Sequence, residues 1–65
     1  MPEVDTFVFR EDSGLMGRVY AMSEEPDWFG RTYKVFEVLW SNGLRTTVHE
    51  NNLVETELGW VVRAI

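Results

Sequence analysis

The chain has 65 residues, no cysteine, and a formal net charge of −5 from six basic and eleven acidic residues. That length allows a single domain over 1–65, which buries only about 60% of the surface its unfolded chain exposes, and without cysteine no disulfide or thiolate metal site can support it. Stability has to come from an apolar core, for which three Trp, two Tyr and four Phe provide material, and that content argues against disorder.

The hydrophobic period is two residues rather than 3.6 almost throughout, which predicts strands. Residues 4–10 are β-branched and aromatic and predict a first strand. Glu11-Asp12-Ser13-Gly14 is a turn composition. Leu15 to Met22 predicts a second strand, with Gly17 marking a bulge or sharp bend. Ser23 to Arg31 reads as a polar loop interrupted by Trp28 and Phe29. Residues 32–40 carry the strongest strand signal, and Ser41-Asn42-Gly43-Leu44 follows. Asn-Gly suits a two-residue type I′ hairpin loop. That loop would set Trp40 across from Arg45, Val38 across from Thr47, and Phe36 across from His49. Glu50-Asn51-Asn52-Leu53 breaks the alternation and predicts one 3₁₀ turn. Leu53 to Glu57 reads as a short strand, and residues 60–65 after Gly59 as a terminal one. Five or six short strands in this length predict an all-β fold, a small antiparallel barrel.

No apolar run reaches the ~20 residues of a membrane span. No signal-like n-region and h-region opens the chain, and Met1-Pro2 reads as a natural start. The expectation is a complete small protein of a reducing compartment, the cytoplasm. Arg10, Arg18, Arg31, Lys34, Arg45 and Arg63 are scattered and outnumbered, which disfavours nucleic-acid binding. The acids form two clusters, Glu11-Asp12 and Glu24-Glu25-Pro26-Asp27. They read either as a solvated surface or as an acidic face for a basic partner protein or a mimic of the phosphate array.

Residues that carry catalysis are sparse. His49 is the sole histidine, and Ser13, Ser23 and Ser41 all sit in turn composition rather than a nucleophile elbow. His49 therefore reads as a half-buried sheet residue and the chain as a non-enzyme. Glu24, Glu25 and Asp27 lack the spacing of a calcium loop, and one His without Cys excludes a structural zinc site. No glycine loop suits a phosphate. No cofactor is expected.

The aromatics divide into two groups. Phe7, Phe9, Tyr20 and Phe36 read as core together with Val38, and Trp40 as packed, with Arg45 stacked on it as a cation–π pair. Trp28 and Phe29 lie where no strand pairing demands them. They either fold back to plug an open end of the barrel or anchor a contact, a role in which Trp is enriched. In the second case the candidate binding residues are Glu24, Glu25 and Asp27, which would steer a partner, Trp28 and Phe29, which would anchor it, and Arg31 and Tyr33, which flank the anchor. A methyl-lysine or methyl-arginine cage from Trp28, Phe29, Tyr33 and Trp40, flanked by Asp27 and Glu37, is a narrower reading of the same materials.

The stretch from Phe36 to Leu53 runs Phe-x-Val-x-Trp-x-Asn-Gly-x4-Val-x4-Leu. It resembles the core hairpin of SH3-like barrels of the Tudor and KOW-like kind, and Gly17-x-Val19 resembles the start of their second strand. The likeness spans residues 7–55 and implies a small SH3-like antiparallel barrel. The Ala-Leu-Tyr-Asp-Tyr segment of polyproline-binding SH3 domains is absent, so that ligand is not implied. Eukaryotic Tudor domains bind methylated side chains, whereas bacterial and phage relatives mostly bind proteins or nucleic acid. The expectation is a non-catalytic protein-binding module whose partner carries a basic surface. Three alternatives stand beside it. One is a phage-type inhibitor or DNA mimic. Another is a nucleic-acid-binding face that gathers Arg18, Arg31, Lys34, Arg45 and Arg63. The last is a structural protein that forms a homodimer through the unprotected edge of its terminal strand.

Overall fold

Alternation of β-branched and aromatic residues with polar ones gives strands and, among the described residues, no helix longer than one 3₁₀ turn. A computed structural model describes residues 2–63. Its elements are β1 (Phe7–Arg10), β2 (Met16–Pro26), β3 (Thr32–Trp40), β4 (Arg45–His49), the 3₁₀ turn Glu50–Asn52, β5 (Leu53–Thr56) and β6 (Gly59–Val62). The six strands form one sheet in the order β4-β3-β2-β1-β6-β5. The sheet curls on itself, so that one face packs into a single core of Val8, Val19, Phe36, Val38, Trp40, Val48 and Leu53. Leu15, Trp60 and Val62 pack against that cluster.

The all-β expectation holds, but the sheet is not closed into a barrel. It ends at β4 on one side and β5 on the other. Nor is it wholly antiparallel, because β1 pairs with β6 in parallel. The reason lies in the last hairpin. β5 and β6 run in opposite directions, so the one that meets β1 sets the sign of the pairing. β6 meets it, and it brings Trp60 and Val62 against the core. The expected free edge of the terminal strand is therefore occupied: β6 is paired on both sides over Trp60–Val62. Ala64 and Ile65 lie outside the described residues.

Two register features differ from the sequence expectation. Leu39 faces Arg45, Val38 faces Thr46, and Phe36 faces Val48. The loop is three residues, Ser41 to Gly43, closed by the Gly43 N–H donating to the Trp40 carbonyl (2.9 Å) and the Trp40 N–H donating to the Leu44 carbonyl (2.8 Å). Gly43 takes φ 89°, the left-handed residue of a three-residue hairpin loop. A one-residue slip exchanges the faces of a strand, and here burial of Val48 beside Phe36 overrules the Asn-Gly turn preference. Thr46 then shares the Trp40 side of the sheet, where, itself exposed, its Oγ1 accepts the Trp40 indole N–H at 2.7 Å.

The second feature lies in β2. The bulge falls at Tyr20, between the pairs Val19–Val38 and Ala21–Glu37, not at Gly17. Gly17 is needed for close approach instead. A Cβ there would sit 2.6 Å from Trp40 Cε3 and 2.7 Å from Val38 Cγ1. Among the expected core aromatics only Phe36 is buried. Phe7 is 55% and Tyr20 38% exposed, and Phe9 is half-buried. Val8 rather than Phe7 has the core-facing parity in β1, and alternation from the buried Gly17 and Val19 puts Tyr20 on the outer face of β2.

Candidate functional site

β2 is longer than the sequence suggests. Ser23 to Pro26, expected in a loop, continue the ladder against Thr32–Val35. The β2–β3 ribbon therefore projects beyond the core and places the candidate residues at its far end. Glu24 lies across from Lys34, Glu25 across from Tyr33, and Pro26 across from Thr32. Successive strand residues point to opposite faces, so Glu24 and Glu25 place one carboxylate on each side of the ribbon.

The tip is a short loop, 27–31, held by one carboxylate. Asp27 Oδ1 accepts the Phe29 N–H (2.9 Å) and the Arg31 N–H (2.8 Å). The Asp27 N–H donates to the Arg31 carbonyl at 2.7 Å. Gly30 closes the loop at φ 75°. Asp27 is thus a loop-fixing residue, and its Oδ1 is committed to the backbone. Trp28 is 99% and Phe29 88% exposed. They do not plug an open end of the sheet; they stand in solvent on a loop with fixed hydrogen bonds. A shallow concavity of about 280 Å³ lies between Pro26, Asp27, Trp28 and Tyr33. Arg31 is exposed beside it.

Tyr33 is half-buried and stacks on His49, with ring centroids 4.3 Å apart and an interplanar angle of 26°. His49 Nδ1 accepts the Asn51 N–H at 3.1 Å, which caps the 3₁₀ turn. The single histidine is thereby committed to structure, as a half-buried sheet residue. Among the described residues no three His, Asp or Glu side chains converge as a metal site.

The four-aromatic cage does not form. Trp40 is buried on the core face, while Tyr33 alternates to the opposite face of β3 and Trp28 and Phe29 stand at the tip. Arg45 does not stack on Trp40 either. Its guanidinium lies over Tyr20, 5.7 Å from the ring centroid, and Arg10 lies 6.0 Å from the Trp40 ring.

A second surface went unread in the sequence. On the outer face Phe7 pairs with Arg18, Arg18 with Leu39, and Leu39 with Arg45. Phe7, Met16, Arg18 and Leu39 line an open concavity of about 430 Å³. Asp5, at φ 76°, approaches Arg18 at 3.9 Å. Arg18 and Arg45 gather on this face, at the core end of the ribbon, while Arg31 and Lys34 lie toward its far end. The signal was hidden because the row depends on the corrected β3–β4 register.

The chain matches no family model, no curated protein and no solved structure. Among the described residues no helix is long and apolar enough to cross a membrane.

Proposed function

We propose that this protein is a non-catalytic binding module that engages a partner protein through the tip of the β2–β3 ribbon. The observation that carries the reading is the near-complete exposure of two adjacent large aromatics, Trp28 and Phe29. They stand on a loop fixed by Asp27. Because the loop backbone is already fixed, binding has to order only the two side chains, and Trp and Tyr are enriched among the residues that dominate interface energies. Glu24 and Glu25 flank the tip from both faces of the ribbon and would favour a basic partner surface through a salt-dependent field. Arg31 and Tyr33 complete the contact around the small concavity.

The fold we read as a variant of the SH3-like barrel, of the Tudor and KOW-like kind. The order of four antiparallel-paired strands, a 3₁₀ turn and a further strand supports that reading, as does the glycine of β2 beneath the Trp40 ring. The parallel β1–β6 pairing and the open edge depart from it. We place the protein in the cytoplasm, on its lack of cysteine.

The deciding experiment is affinity capture from source-cell lysate with nuclease treatment, using the wild-type chain and a Trp28→Ala, Phe29→Ala variant. One stoichiometric protein retained by the wild type and lost by the folded variant supports the tip as the binding element. Equal retention by both overturns it, and loss of every partner on nuclease treatment redirects the function to nucleic acid.

A further inference from the structure

We propose that the tip also binds the outer-face groove of a second copy of this chain, in a head-to-tail contact. The proposal rests on the tip being a binding element and adds the partner surface.

Three observations carry it. The first is shape. The groove lined by Phe7, Met16, Arg18 and Leu39 is open, mainly apolar, and about 430 Å³ in volume. An indole or phenyl ring from Trp28 or Phe29 is of a size to enter it. Phe7 and Met16 are 55% and 43% exposed, so the groove leaves apolar surface uncovered.

The second is charge. The groove end carries Arg18 and Arg45 on one face, in the row Phe7–Arg18–Leu39–Arg45. The tip end carries Glu24 and Glu25. Each end also carries opposite charges: Asp5 beside Arg18 at the groove, and Arg31 and Lys34 at the tip, Lys34 across from Glu24, so that with Asp27 the tip keeps an acidic excess and the groove a basic one.

The third is geometry. Groove and tip lie at opposite ends of β2, from Met16 to Pro26. At ~3.3 Å per residue, roughly 25 Å of paired strand separates Arg18 from Pro26, and the molecule is 34 Å in its longest dimension. The ladder between them is continuous apart from the Tyr20 bulge. A tip cannot fold back to its own groove, so the contact is between copies. Tip and groove are different patches, so the interface is heterologous and generates a ring or an open chain of copies.

The contact is small. Two aromatic side chains cover on the order of 150–250 Å² each, below the size of a standard stable interface. Association is therefore expected only at high concentration. The net charge of −5 repels copies at low salt, so salt alone does not discriminate, and a charge exchange does.

Sedimentation velocity of the wild-type chain from ~10 μM to ~1 mM is expected to show a weight-average mass that rises at least about twofold, as fits a small interface. Two folded variants, Arg18→Glu with Arg45→Glu and Glu24→Lys with Glu25→Lys, are each expected to stay monomeric. Each sets like charge against like in its own tip-to-groove contact. Mixed together they are expected to associate, because each then offers the opposite sign to the other. A wild type that stays monomeric at ~1 mM overturns the second copy as partner while leaving the tip's capture of another protein to its own test. Association that persists in Trp28→Ala, Phe29→Ala, or a mixture of the charge variants that stays monomeric, overturns the head-to-tail contact.

Discussion

The two ends of the β2–β3 ribbon are built on different physics. At the near end Gly17, Val19, Phe36, Val38 and Trp40 are all buried, with Phe36, Val19 and Val38 wholly inaccessible. At the far end the residues from Ser23 to Thr32 are exposed, Asp27 excepted. The same ladder of backbone pairs runs through both. What differs is the source of order. Tertiary packing fixes the near end, and local hydrogen bonds to Asp27 Oδ1 fix the far end. A ribbon ordered without burial leaves its large aromatics free for a partner, whereas one that needed them for its core could not.

That contrast breaks most visibly at the near end. Phe36→Ala is expected to cost about 3–5 kcal/mol. That is much of the ~3–10 kcal/mol that 65 residues at typical stability per residue would have, and urea unfolding would show a largely unfolded chain. Gly17→Ala comes next. The Cβ meets the Trp40 ring and Val38 at under 3 Å, so overpacking of about 1–3 kcal/mol is expected, read as a lowered urea midpoint. A neutral Gly17→Ala would show that the Trp40 ring has room to move. At the far end Asp27→Ala is expected to lose about 0.5–1.5 kcal/mol, with faster hydrogen exchange confined to the Phe29 and Arg31 amides. Trp28→Ala with Phe29→Ala is expected to leave stability within about 0.5 kcal/mol of the wild type while abolishing partner capture. A large loss of stability there would mean that the far end is also held by burial.

The smallest effect lies outside the ribbon, in the turn after β1. Arg10 holds Asp12 through two hydrogen bonds, Nε to Oδ1 at 3.1 Å and Nη2 to Oδ2 at 2.9 Å. Partial desolvation pulls the Asp12 carboxyl upward, but the Arg10 hydrogen bond and charge, with help from Ser13, outweigh it and hold the carboxyl below its ordinary value of 3.8. A lowered folded value means that the stabilisation is fully present above the unfolded value and lost as pH falls from there through the folded one. Both side chains are about 40% exposed (40% and 43%), so the contribution is small and screened. An NMR titration of the Asp12 carboxyl is expected to move upward in Arg10→Gln.

Strand content was legible because period-two alternation is a local property: residues 32–40, the 3₁₀ turn and the hairpin between β3 and β4 all lie where the pattern puts them. The prominence of Trp28 and Phe29 was legible for the same reason, since no strand period claimed them. Their exposure was not, because it depends on how far β2 and β3 stay paired beyond the core, and Ser23-Glu24-Glu25-Pro26 has a loop's composition. The register of β4 was misjudged from its turn. A two-residue and a three-residue loop differ little locally, and only Val48 against Phe36 separates them.

The amino-acid order alone thus determined an all-β chain, the hairpin at Asn42-Gly43 and an acidic segment bearing two unclaimed aromatics. Tertiary structure decided which face each strand buries, that β6 enters between β1 and β5, and that Arg18, Leu39 and Arg45 form one row. The physical reason is that alternation specifies two faces without naming the inner one. Where both faces carry apolar residues, as in Phe7-Val8-Phe9, only the contacts of the assembled sheet choose between them.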